Sequence, residues 1–149
     1  MRINLVAPDS LAAAAGLRVG DILVENDVLS KIRRAPADGA DVKVLRLNEA
    51  SGQYQPASVR VKPVSGQPVR LGIMYDLGFA VRSVEAGSLA ARARIQASDF
   101  LPKIDETFVH DVETLDLISS AAANGRDVTV NIIRWLIAEK RFDQLKAGL

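Results

Sequence analysis

Residues 70–92 read Arg-Leu-Gly-Ile-Met-Tyr-Asp-Leu-Gly-Phe-Ala-Val-Arg-Ser-Val-Glu-Ala-Gly-Ser-Leu-Ala-Ala-Arg, and this stretch decides the fold. Apolar residues run from Leu71 to Val84, with turn chemistry at Asp76 and Gly78. That pattern predicts two short strands paired through a tight turn. Glu85-Ala86-Gly87 breaks the second strand, and Ser88 is placed to cap a short helix. Leu71-Gly72-Ile73 heads the first strand. Two apolar residues flanking a glycine let the backbone come close to a ligand with its amides free.

Composition narrows the function classes. A chain of 149 residues holds one ordinary domain or two small ones. Apolar residues make up 48% and charged residues 25%, which is the balance of a globular chain. A net charge of +1 provides no electrostatic footprint for nucleic acid or an anionic membrane. The absence of cysteine excludes disulfides and thiolate chemistry. No apolar run approaches the roughly 18 residues of a membrane span. The N-terminal residues, with one arginine and a broken apolar stretch, read unlike a signal peptide.

The chain repeats itself. Residues 6–23 align without a gap on residues 84–101, at a constant offset of 78 positions. Val6/Val84, Ser10/Ser88, Leu11/Leu89, Ala12/Ala90, Asp21/Asp99 and Leu23/Leu101 are among the identical pairs. So long a period suits two copies of one small domain and not a solenoid. In the first copy Gly16 can end a helix in a left-handed conformation, and Gly20 can form the turn before strand Ile22-Leu23-Val24. Arg94 and Ser98 stand at those glycine positions in the second copy, where a side chain costs about 1 kcal/mol.

Further along, Asp27 to Arg34 predicts a stunted helix stopped before Pro36, and Asp41 to Leu47 and Ala57 to Lys62 predict strands. Ser65-Gly66-Gln67-Pro68 marks a boundary, which divides the chain into domains 1–65 and 66–149. In the second domain Phe100 to Ile104 predicts a strand bent at Pro102, and Asp105 to Thr107 a turn. Asp111 caps a predicted helix over 112–123, and 127–135 alternates as a strand. The tail from Ile137 to Leu149 is open between two readings, and the spacing of Phe142, Leu145 and Leu149 favours a helix over a final strand.

With these residues in view, the chain resembles tandem PDZ domains of the bacterial, protease-associated type. That family carries an apolar-Gly-apolar carboxylate loop, two strands and a Gly-Ser-Pro-Ala-like turn into a short helix. An Ala-Gly-Leu-x-x-Gly-Asp turn follows, then a strand, a longer helix and final strands. The carboxylate loop corresponds to Leu71-Gly72-Ile73, and the first turn to Ala86-Gly87-Ser88-Leu89-Ala90-Ala91. The second turn corresponds to Ala93-Arg94-Ile95-Gln96-Ala97-Ser98-Asp99. The first copy matches that second turn throughout, as Ala15-Gly16-Leu17-Arg18-Val19-Gly20-Asp21. Leu77-Gly78-Phe79 has the loop's form too, but lies too close to Gly87 to leave room for two strands. The resemblance implies an α+β, mostly β fold: two small, partly open β-barrels or sandwiches, each with a short and a longer helix.

It also implies a function. A peptide's C-terminus adds as a strand, and loop amides hold its carboxylate. Leu71, Gly72 and Ile73 would present those amides, Arg70 would add attraction, and Met74 and Tyr75 would continue the strand. Leu71 and Ile73, with Leu115 or Ile118 from the helix opposite, would line a pocket for an apolar last residue. The expected protein is a non-catalytic peptide-binding tandem, the recognition part of a bacterial envelope protease of the high-temperature-requirement or site-2 type, or of secretion machinery. As a fragment of an envelope protein, its expected location is periplasmic or extracytoplasmic. A structural or oligomerisation module with a closed groove is the alternative.

Subtracting 78 from Leu71 falls before Met1, so the first copy is expected to lack its own loop and leading strands. A chain cut from a longer protein, with Met1 not the natural start, accounts for this. Completion by a neighbouring chain, in a strand-swapped homo-oligomer, is the other account. No catalytic residue, metal site or cofactor is assigned. His110, beside Asp111, reads as a surface loop residue, Arg33-Arg34 as a solvated pair, and Trp135 as a packing anchor.

Overall fold

Ile3, Val42, Val44 and Val61 in the first half of the chain, and Phe100 and Val130 in the second, are fully buried strand residues, and each set anchors its own sheet. The computed structural model describes residues 1–109 and 111–149; His110 and the side chains of Leu117 and Ile118 lie outside the described residues. The fold is α+β and mostly β. It divides into two units, one of Met1–Leu47 with Tyr54–Asp76, the other of Asn48–Gln53 with Leu77–Leu149.

The first unit contains β1 (Arg2–Val6), α1 (Leu11–Ala15), β2 (Ile22–Leu23), α2 (Val28–Arg33), β3 (Ala40–Asn48), β4 (Gln53–Val61) and β5 (Ile73–Asp76). Its strands form one sheet in the order β4-β3-β2-β1-β5. Ser10 caps α1 by accepting from Ala13 N–H, and Gly16 ends it at φ 79°. Ala12, Val28 and Ile32 close the core over the sheet.

The second unit contains β6 (Phe79–Ala80), α3 (Leu89–Arg92), β7 (Phe100–Ile104), β8 (Thr107–Phe108), α4 (Val112–Ala123), β9 (Thr129–Leu136) and β10 (Arg141–Gly148). Its strands run in the order β10-β9-β7-β6, with β8 paired to β7. Ser88 caps α3 through Ala91 N–H, and Asp111 caps α4 through Thr114 N–H. Ile95, Leu101, Ile104 and Ile132 form the core with Val109, Val128 and Val130.

Three expectations are corrected. The tail is the strand β10 and not a helix. It pairs with β9 along its whole length, from Arg141↔Leu136 to Gly148↔Thr129. Lys140, at φ 49°, turns the hairpin, and Phe142 meets Trp135 edge-to-face with ring centroids 5.0 Å apart. Second, β5 and β6 do not pair with each other: β5 lies antiparallel on β1, and β6 on β7. Third, the first unit does not lack an edge strand within this chain. Ile73–Asp76 fills that position, so residues 66–76 fall with the first unit and not beyond a boundary at 65. A strand from a neighbouring chain is therefore not needed to complete that sheet.

Candidate functional site

The turn between α1 and β2 is braced by a buried ion pair. Asp21 is 2% exposed, yet its carboxylate accepts from Arg46 Nε at 2.9 Å and Nη2 at 2.6 Å, and from Arg18 N–H at 2.9 Å. Arg46 Nη2 also donates to Gly16 O at 2.8 Å. A two-pronged guanidinium fits a carboxylate in this way, and the additional backbone bonds offset desolvation. The second unit repeats the arrangement. Arg134 donates to Asp99 at 2.7 and 2.6 Å and to Arg94 O at 2.8 Å, and Gln96 N–H donates to Asp99 at 2.8 Å. The hydrogen bond to its aspartate raises the pKa of each arginine, against the opposing effect of burial. Arg94 and Ser98 adopt φ 60° and 72°, where Gly16 and Gly20 adopt 79° and 93°. The second unit therefore keeps the turn and carries the strain.

On the other side of α1 sits the loop Leu71-Gly72-Ile73. Ala7 N–H donates to Gly72 O at 2.7 Å, and Ala12 N–H to Leu71 O at 3.0 Å. Gly72 has φ 73°, and a Cβ on it would collide with Ser10 Cβ. Glycine is required here on both counts. At its far end β5 is held by Asp76, which accepts from Asn4 Nδ2 at 3.0 Å and lies 3.7 Å from Arg2 Nη1.

A cavity of about 430 Å³ opens beside this loop. Leu71, Gly72 and Ile73 line it, and so do Val28, Leu29 and Arg33 of α2. Arg70 and Tyr75 also reach it. Leu71 and Val28 are buried, whereas Leu29 and Tyr75 are 43% and 48% exposed. Among the described residues β5 ends its sheet, so one row of its backbone N–H and C=O groups is unpaired. The cleft thus offers an extended chain a backbone ladder, an apolar pocket and a cationic surround.

No family model matches the chain. It is similar to part of a bacterial protease. A probable periplasmic serine endoprotease DegP-like from Halomonas elongata is 29% identical over an alignment 161 positions long, which covers 85% of this chain and 33% of that relative. The chain therefore spans about a third of the length of the curated relative it matches.

Of the residues predicted from sequence for the site, Arg70, Leu71, Gly72, Ile73 and Tyr75 come together at the cavity. Met74 is 60% exposed on the same strand. Leu115 is not with them. It sits on α4 and packs against the core of the second unit. Ile118, whose side chain is outside the described residues, also belongs to α4. The helix that lines the cavity is α2, and Val28, Leu29 and Arg33 were missed as site residues. The repeat held the clue: α2 follows the Asp21 strand as α4 follows the Asp99 strand.

Proposed function

We propose that the cleft between β5 and α2 is a PDZ-type peptide-recognition site, and that the chain is a non-catalytic part of a longer periplasmic protease. The observation that carries this reading is the cavity itself, headed by a left-handed Gly72 and flanked by an unpaired sheet edge. A peptide C-terminus adds to β5, its carboxylate meets the loop amides near Arg70, and its last apolar side chain enters between Leu71 and Leu29. Similarity to the DegP-like endoprotease supports the protease setting and the periplasmic location. The repeated Asp–Arg brace supports reading the second unit as another copy of the same domain. The exposure of Leu29 and Tyr75 favours an open groove over a closed structural module.

Calorimetric titration tests the site, with peptides ending in leucine or valine as free acid and as amide. Charge-assisted bonds to the carboxylate are worth about 1.5–3 kcal/mol, so the amide binds roughly ten- to a hundredfold more weakly. Leu29→Asp abolishes binding and leaves the fold intact, because Leu29 is exposed. Equal binding of acid and amide overturns the reading.

A further inference from the structure

The charged side chains along the cleft between β5 and α2 change sign from one end to the other. β1 and β5 run antiparallel, with Val6 opposite Ile73 and Arg2 opposite Asp76. The loop Leu71-Gly72-Ile73 therefore stands at one end of the cleft and Asp76 at the other. Leu23 N–H donates to Met1 O at 2.8 Å, which lays the end of β2 beside the start of β1. Asn26 and Asp27 follow β2 directly, and both line the cavity together with Met1 and Leu23. The entry of α2 thus lies at the Asp76 end. Leu29 and Arg33, one turn apart on the same helix face, line the cavity farther along, so Arg33 lies toward the loop and Arg70.

The fold itself uses none of these charges. Arg33 and Arg70 are exposed and have no hydrogen bond or ion pair among the described residues. Asp27 is exposed too. It stands at the N-cap of α2, where an aspartate ordinarily accepts from amides of the first turn, yet its side chain makes no capping bond. The nearby acids are already paired, Glu25 with Lys31 Nζ at 3.0 Å and Asp76 with Asn4 and Arg2. Among the described residues that line the cavity, Asp27 is the one acid. Asn26 and Asp27 also border a second hollow of about 550 Å³, with Lys31 and Arg34 on its far side, so the cleft stays open past Asp27.

We infer that the cleft selects its ligand by charge order: an extended C-terminus with a lysine or arginine upstream of the apolar last residue, read by Asp27. This rests on the peptide-recognition reading proposed above. A chain that ends at the loop and pairs with β5 runs antiparallel to it, so its upstream residues pass Asp27. Asp27 and Arg33 are six positions apart, about 9 Å of helix rise. An extended ligand covers that distance in about three residues. Its side chains alternate, so the third and fifth places from the end share the helix-facing side with the last, and the second and fourth turn away. A basic side chain at the third place lays its apolar stem along Leu29 and brings its charge to Asp27. An acidic one there is repelled.

Isothermal titration of the full chain tests this, with an acetylated six-residue peptide, five alanines and a final leucine, as free acid. Lysine or glutamate replaces alanine in turn at the second to fifth places from the end. Lysine at the third place tightens binding up to about fivefold over alanine, and glutamate there weakens it by a similar factor. At the second and fourth places the two bind alike. Asp27→Lys inverts the order at the third place, and it removes no side-chain bond of the folded chain. Salt at roughly 1 M, where screening acts within about 3 Å, flattens the preference. Equal binding of the lysine and glutamate peptides at every place overturns the inference and leaves the cleft standing. So does a lysine preference confined to the second or fourth place, or one that survives in Asp27→Lys. If no free-acid peptide binds, the cleft itself is overturned, and the inference with it.

Discussion

Arg46 and Arg134 show how much one side chain can hold. Each is the main partner of a carboxylate that is almost wholly buried, and each also ties down the end of the preceding turn. Removing one partner of a buried pair strands the other, at about 3–5 kcal/mol. Arg134→Ala should lower stability in urea denaturation by about 3 kcal/mol, and Arg46→Ala by a similar amount. A loss below about 1 kcal/mol would mark the pair as an exposed-type bridge. The two left-handed residues of the second unit give the opposite sign. Arg94→Gly should raise its stability by about 0.5–1 kcal/mol, because glycine removes the Cβ penalty at φ 60°. The same denaturation series measures it. The positions needing glycine were legible in the aligned turns. The arginines were not, because they lie 25 and 35 residues from their aspartates and so fall off the constant offset.

At the scale of elements, β5 is where sequence and structure part. Its content was legible: an apolar-Gly-apolar head, then a short strand ending at Asp76. Its partner was not, because the chain offers two similar edges, β1 and β6, and local pattern cannot choose between them. Here the bonds from Ala7 and Ala12 and the contacts of Asp76 with Arg2 and Asn4 decide for β1. Gly72→Ala should reduce stability by about 2 kcal/mol, from the left-handed backbone and the collision with Ser10 together. Urea denaturation checks it, and an unchanged midpoint would mean that the loop does not pack on α1. The tail failed for a different reason. Phe142, Leu145 and Leu149 satisfy a helical spacing, but residues 141–148 alternate in burial, and pairing with β9 outweighs propensity.

For the whole molecule, length and the internal repeat were enough to predict two small units, while their α+β class came with the resemblance to PDZ domains. None of these reveals which residues complete which unit, since that depends on pairing across more than seventy positions, as between Arg2 and Asp76. Among the described residues no helix is long and apolar enough to cross a membrane.

The outer strands of the two sheets are not equally defended. β4 carries exposed Pro56 and Arg60, and β10 carries exposed Arg141 and Lys146, residues that discourage one sheet from growing onto another. β5 presents Met74 and Tyr75 to solvent without a proline or a cation. The strand best suited to welcome a visiting chain is thus the one most open to unwanted polymerisation. Solubility in a crowded compartment then depends on how often that border is already taken.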